Sequence, residues 1–507
     1  MFARIFGAAV LGLHGRLITV EADIANGLPA FDIVGMATVA VKESKERVRA
    51  AVKNSGFEFP MRRITVNLAP ADMKKEGAGL DLPIAVALMV SSGQIKPEAC
   101  ESCLFMGELS LDGRVRQTAG VLSMVLAAAE SGFKKVFVSP ENTGEALLCG
   151  SIDVYAVATF SDLVEHLQGL APLTAAKPGK NNETLPRYDV DFSEVQGQFI
   201  AKRALEIAAA GGHNLLMVGP PGAGKSMLAK RIPTILPPMN LKESLEVTKI
   251  YSVAGLFHRE DRLMERPFRS PHHTVSAAGL IGGGSVPKPG EVTLSHNGVL
   301  FLDELPEFSR SVLEVLRQPL EDGKVNLVRV NAALSYPAGF MLIAAMNPCP
   351  CGYLHDKDHI CACTSGEIRR YVRKISGPLL DRIDLHIRVS RVTYADLHAA
   401  RKAESSESIR QRVVAARIIQ RERLQRHGLF CNAQMNHGMI KKYCRLEKEA
   451  ERLLEAAFHR INLSARSHDR IIKVARTIAD LGESSVITAA HIAEAIQLRS
   501  DVGLNIE

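Results

Sequence analysis

The chain has 507 residues, 46% of them apolar and 23% charged, with a net charge of +7 and a pI near 8.9. That length suits about three domains, and the mild basic excess permits an anionic partner without demanding one. No apolar run approaches the ~20 residues of a membrane span, and nine cysteines without secretory context are expected to be reduced thiols or metal ligands.

The first residues, "MFARIFGAAVLGLHGRL", set Arg4 before an apolar stretch that His14 and Arg16 interrupt. This is expected to be the folded start of a cytoplasmic, non-membrane protein. "RLITVEADI" and "RRITVNLAP" alternate at period two and predict strands. "VKESKERVRAAVKNSG" predicts an amphipathic helix ending at Gly56. "KKVFVSPEN" and "VYAVAT" predict buried strands, with Ser161 as N-cap of the helix "DLVEHLQ". Cys100 and Cys103 form a C-x-x-C without a second pair and are read as structural. These elements make an α+β domain over 1–172. The aperiodic Pro, Gly, Asn and Lys of "LAPLTAAKPGKNNETLPR" then mark a linker, 173–187.

From 188 to 392 apolar strands alternate with helices, as in an α/β parallel sheet. "NLLMVGPPGAGKSMLAKRI" carries the strongest motif: Gly219, Pro220, Pro221, Gly222, Ala223, Gly224, Lys225 and Ser226, with a strand before and a helix after. Glycine lets the backbone N–H groups turn inward around phosphate, and the helix N-terminus adds partial positive charge. Lys225 is expected to reach the β and γ phosphates of ATP, and Ser226 to bind Mg²⁺. In "NGVLFLDELPEF" an apolar strand delivers Asp303, a second Mg²⁺ ligand through water, and Glu304, a general base for the attacking water. A third strand, "GFMLIAAMNP", ends at Asn347, placed to orient that water.

Directly after it, "NPCPCGYLHDKDHICACT" gathers Cys349, Cys351, Cys361 and Cys363 in a Cys-rich segment, 347–366. Four thiolates can close a tetrahedral Zn²⁺ site, and a small loop poor in apolar residues gains order from a metal. His355 or His359 stands as a substitute ligand. The alternatives are four reduced cysteines in a surface loop or a redox switch. Beyond 392 only helical patterns occur, so 393–507 is expected to be an α-helical domain. Its basic helix carries Arg410, Arg412, Arg417, Arg421 and Arg423, read either as phosphate contacts or as a solvated face.

"RPFRSPHHTVSAAGLIGGGSVPKPGEVTLSHNGVLFLDELPEF", "VLRQPLEDGKV", "AAMNPCPCG", "GPLLDRIDLHI" and "LSARSHDRIIKVARTIADL" together resemble the magnesium-chelatase-like branch of the AAA+ ATPases, within it a bacterial group of competence proteins. The resemblance covers nearly the whole chain. It implies an AAA+ P-loop core with a C-terminal helical lid. It makes Arg382 an arginine finger acting across a subunit boundary, hence a homo-hexamer, and Arg466 a sensor on the lid. It also implies two insertions, one including "SAAGLIGGGSVPKPGE" with Lys288, the other the hairpin "GKVNLVRVNAALSYPAG" with Lys324 and Arg329. These loops either grip single-stranded or branched DNA or serve as plain structural hairpins. The implied function is an ATP-driven helicase promoting branch migration during recombination of transforming DNA. The alternatives are a protein-remodelling ATPase and an ATP-switched DNA-binding scaffold.

The segments "FMGELSLDGRV", "GVLSMVLAAAESGFKKVFVSPEN" and "KKEGAGLDLPIAVAL" resemble the Lon protease domain. Its serine falls at Gly77 or a neighbour within "EGAG" and its lysine at Leu122 or Ser123, so an inactive domain is expected, one that binds recombination proteins or DNA.

Overall fold

The computed structural model describes residues 2–500 except 76, 178–187, 258–262, 285–287, 330–331, 355, 357, 393–402 and 461–463; the side chains of 328–333 and 500 also lie outside the description. Residues 1–184 with 241–263 form one compact unit, and 185–240 with 264–507 a second.

In the first unit a seven-stranded sheet has the spatial order Ala30–Val34, Arg63–Ala69, His14–Ala25, Phe2–Leu11, Cys103–Phe105, Lys135–Val138, Asp153–Ala156. Phe2–Leu11 and His14–Ala25 pair antiparallel, and the last four strands run parallel to one another. Alternation in His14–Ala25 puts Ile18, Val20, Ala22 and Ile24 inside. The wholly buried helix Asp81–Ser91 packs on this sheet. So does Val121–Glu130, which approaches Gly15 so closely that a Cβ there would lie 2.3 Å from the Ser123 carbonyl oxygen.

The expected helix before Gly56 is two pieces, Val39–Lys42 and Ser44–Asn54. The N-cap predicted at Ser161 is Thr159, which forms a capping box with Asp162. The helix begins earlier because Phe160 is fully buried as its first residue. Cys100 and Cys103 are buried free thiols, pushed up to about 12 and about 11 by desolvation, which makes them inert.

The helix Leu241–Ala254 lies between the phosphate-loop helix and the Asp303 strand in sequence, yet it packs on Val121–Glu130 in the first unit. The hinge of that packing is Glu145. Its carboxylate accepts the Leu122 N–H at 2.7 Å and the hydroxyl of Ser252. The Gly120 N–H donates to the Ser252 carbonyl at 3.1 Å.

In the second unit a parallel five-stranded sheet runs Phe268–Arg269, Val299–Leu302, Met341–Met346, Leu215–Val218, Leu385–Arg388. Every residue of the three middle strands is buried, which is why they read as continuous apolar runs rather than alternating ones. After residue 402 the described chain is helical: Ser406–Leu424, His437–Tyr443, Lys448–Arg460, Ala465–Leu481 and Ala489–Ser500. Among the described residues, no helix is long and apolar enough to cross a membrane.

Candidate functional site

Ligands in open parallel sheets bind beyond the carboxyl ends of the strands, and three neighbouring strands here end in polar residues. Leu215–Val218 leads into the glycine loop, Val299–Leu302 into Asp303 and Glu304, and Met341–Met346, between them, into Asn347. Gly219 is dictated by backbone approach: a Cβ would sit 2.2 Å from the Val389 carbonyl oxygen. Gly222 and Gly224 have φ of 77° and 85°, left-handed values that turn the loop into the helix Lys225–Ile235.

Lys225 is buried beneath this loop. Its Nζ donates to the carbonyls of Gly219 (2.6 Å) and Pro220 (3.0 Å) and to Asn347 Oδ1 (3.1 Å). Burial pulls its pKa down, and the charges of Asp303 and Glu304 work against that. The Ser226 hydroxyl donates to Asp303 Oδ2 at 2.5 Å. Glu304 takes φ of 52°, a strained value for a non-glycine residue, with its N–H on Asp303 Oδ1 at 3.0 Å. The strain sets Glu304 as an exposed carboxylate beside His273, whose Nδ1 is 3.8 Å from Oε2. Lys225 with Asn347 and Ser226 with Asp303 therefore form two hydrogen-bonded pairs on consecutive residues of one helix, with Glu304 next to Asp303.

Arg382 and Arg466 stand apart: no described hydrogen bond or ion pair joins either to those residues. Arg382 donates to the Pro378 carbonyl at 2.8 Å and forms an ion pair with Glu321. Its backbone is pinned as well. The Arg382 carbonyl accepts from Asn214 Nδ2 and from Arg470 Nη1, both at 3.0 Å, and Arg470 also holds the buried Asp384. Arg466 is exposed in the first turn of Ala465–Leu481. Lys288 is exposed on a short strand paired with Gly282–Gly283. Lys324 opens an antiparallel hairpin, Lys324–Arg329 with Ala332–Pro337. The Arg329 side chain and His355 lie outside the described residues.

The basic helix Ser406–Leu424 uses most of its arginines internally. Arg410 pairs with Glu407, Arg412 with Glu206 and Glu404, and Arg423 with Asp480, while Arg417 donates to the Ala209 carbonyl; Arg421 is exposed. A different basic surface was not singled out from the sequence. Arg310 and the run Arg369, Arg370, Arg373 and Lys374 line an open groove of about 680 Å³, with Glu307 beside Lys374 at 3.5 Å. Four of these charges share the short stretch 369–374, and Arg310, some sixty residues earlier, joins them only in the fold.

The four cysteines of the 347–366 segment converge. The Sγ atoms of Cys349, Cys351 and Cys361 lie 3.4–3.6 Å apart, and those of all four within 4.8 Å of one another. His359 faces elsewhere. It stacks on Tyr353 with centroids 4.7 Å apart, and its Nδ1 meets Arg391 Nη1 at 3.1 Å.

Comparison with known proteins gives three family matches along the chain. The model "Subunit ChlI of Mg-chelatase" matches residues 20–142, "Magnesium chelatase, subunit ChlI" 191–397, and "Magnesium chelatase, subunit ChlI C-terminal" 403–499. YifB of Escherichia coli (strain K12) is 42% identical over 493 residues, 97% of this chain and 96% of its own. The competence protein ComM of Haemophilus influenzae is 41% identical over 513 residues, 99% of this chain and 98% of its own. The Lon protease of Mycolicibacterium smegmatis is 28% identical over 171 residues, 31% of this chain and 21% of its own.

Proposed function

Because the chain belongs to the ComM/YifB group of the magnesium-chelatase-like AAA+ family, we propose that it is an ATP-driven, ring-forming DNA motor that promotes branch migration while transforming DNA is recombined. The observation that carries the ATPase reading is the convergence of Lys225, Ser226, Asp303 and Asn347 at the ends of three adjacent parallel strands.

In this reading the loop amides of 219–224 and Lys225 bind the phosphates. Lys225 exchanges its carbonyl partners for phosphate oxygens, which pair a desolvated ammonium with charge. The Ser226 hydroxyl and the Asp303 carboxylate are hard oxygen donors that fit Mg²⁺, an ion that would neutralise charge on the transferring phosphoryl. Glu304 accepts the proton of the attacking water and Asn347 orients that water. Arg382 acts in trans on a neighbour's nucleotide, in a homo-hexamer, and Arg466 acts from the helical lid. The Lon nucleophile aligns with Gly77 or a neighbour within "EGAG", and its base with Leu122 or Ser123, so the N-terminal domain is read as non-proteolytic and as a docking site for recombination proteins.

The groove of Arg310, Arg369, Arg370, Arg373 and Lys374 supports a polyanionic partner, and Lys288, Lys324 and Arg329 are further proposed DNA contacts. Arg410, Arg412, Arg417 and Arg423 of Ser406–Leu424 are set aside because internal ion pairs or a backbone carbonyl already use them, which leaves Arg421 exposed.

The test is ATP-dependent unwinding of a forked or three-stranded DNA, with Lys225→Ala as control. Strand displacement by the wild type alone supports the motor. Hydrolysis that DNA neither stimulates nor couples to unwinding refutes it and redirects the search to a protein client.

A further inference from the structure

The four-cysteine loop is not used by the motor reading, yet it has the geometry of a built site. A tetrahedron of sulfurs around Zn²⁺, with Zn–S near 2.3 Å, has S–S edges of about 3.8 Å. Three sulfur pairs here span 3.4–3.6 Å, and all four sulfurs lie within 4.8 Å of one another. A disulfide would need about 2.05 Å, and all four thiols are free. The Cys351 N–H points at Cys363 Sγ at 3.4 Å, the amide-to-sulfur contact that steadies a thiolate.

What the loop touches gives the site a consequence. Gly352, between the two cysteine pairs, has φ of +86° and lies against the phosphate loop. A Cβ on it would stand 2.5 Å from Pro221 Cδ and 3.8 Å from Asn347 Cγ. Its N–H is held by the Cys349 carbonyl at 3.0 Å. The far side of the loop is fastened to the chain following the sheet's edge strand, since Arg391 lies 3.6 Å from Asp356 and its guanidinium sits over the Tyr353 ring at 5.5 Å.

We propose that Cys349, Cys351, Cys361 and Cys363 hold a structural zinc ion, and that the loop it orders buttresses the phosphate loop through Gly352 and Pro221, so that nucleotide affinity depends on the metal. Binding converts the thiols to thiolates and releases their protons to solvent. Apolar burial does little for the described outer part of the loop: Cys349 is buried, but Ile360 is 96% exposed. The coupling rests on reading 219–226 as the phosphate loop; the metal site does not.

The experiment uses the full chain purified without added metal. Metal content is measured by mass spectrometry, and binding of a fluorescent ATP analogue is measured on the same samples. About one zinc per chain is expected in the wild type and in a Cys149→Ser control, and none in Cys361→Ser/Cys363→Ser. Removing the ion should weaken nucleotide binding about tenfold, or about 1.4 kcal/mol. Should the double variant not fold, the wild type is stripped with a mercurial, reduced, and tested with and without returned zinc; recovery with zinc alone is expected. Gly352→Ala should keep the zinc and still lose affinity. A metal-free wild type whose four thiols react freely, or form disulfides, overturns the site. Unchanged nucleotide affinity after stripping overturns the coupling. Zinc present with no nucleotide binding in any sample counts against the ATPase reading instead.

Discussion

Asp384→Asn tests the joint between the helical domain and the segment bearing Arg382. Asp384 is 5% exposed. One carboxylate oxygen takes Arg470 Nη1 at 2.5 Å and the other the Asn214 N–H at 3.0 Å. Burial alone would raise this carboxyl, but the His213 ring and the Arg470 guanidinium outweigh it and hold it well below the carboxylate range. The amide keeps the shape and removes the charge, leaving Arg470 without its counter-ion. Breaking a buried pair in this way costs about 3–5 kcal/mol; the 22% exposure of the Arg470 side chain places the cost near the lower end. For a unit of this size that lowers the melting temperature by roughly 5–10 °C. The chain has no tryptophan, so far-ultraviolet circular dichroism or calorimetry is the assay. A depressed folded-state pKa contributes stability that is fully present above the unfolded value, near ~3.9, and is lost as pH falls through the folded value. The gap between wild type and variant should therefore be constant at neutral pH and shrink in strong acid. A melting shift below about 2 °C, or a gap that widens in acid, would refute the reasoning.

Glu304→Gln should retain nucleotide binding while turnover falls about 10²–10⁴-fold, whereas Lys225→Ala should weaken binding itself; steady-state kinetics with an equilibrium binding assay separates the two. Arg382→Ala should lower turnover about 10³-fold or more, and mixing it with Lys225→Ala should restore activity only if the arginine acts on a neighbouring subunit; no recovery in mixed assemblies sinks the trans assignment. Reversing Arg369, Arg370, Arg373 and Lys374 to Glu should flatten the dependence of log K on log salt for DNA by about one unit per lost phosphate contact; an unchanged slope removes the groove from the interface. Glu145→Ala should cost about 1–3 kcal/mol by orphaning the Leu122 amide and Ser252, and limited proteolysis should then cut near Leu241–Ala254; equal protection in both proteins argues against the tie.

The identification with the magnesium-chelatase-like group was legible from motifs alone and is borne out by relatives matching along the full chain. Motifs of this kind are local: a glycine loop between a strand and a helix carries its own conformational demands in a dozen residues, so residues 215–235 declare themselves. Asp303 and Glu304 after an apolar strand are a weaker local signal and became legible only beside that loop. The Ser161 cap failed by two residues because burial of Phe160, a tertiary fact, fixed where the helix starts.

Features that depend on meetings between distant segments came from the fold. Helix Leu241–Ala254 follows the phosphate-loop helix in sequence but packs on the N-terminal unit through Glu145 and Ser252. The arginines of Ser406–Leu424 look like a phosphate-binding face in one dimension and become ion-pair partners of Glu206 and Asp480 in three. Arg310 joins Arg369, Arg370, Arg373 and Lys374 only when two helices converge. Spacing left the two cysteine pairs ambiguous; folding brings their sulfurs within a metal's reach and presses Gly352 against Pro221. The chemistry of each piece could be read one segment at a time, because backbone conformation and residue type are local properties. Which charges stay open to a partner, and which loop supports which, depended on packing between residues that share no stretch of chain.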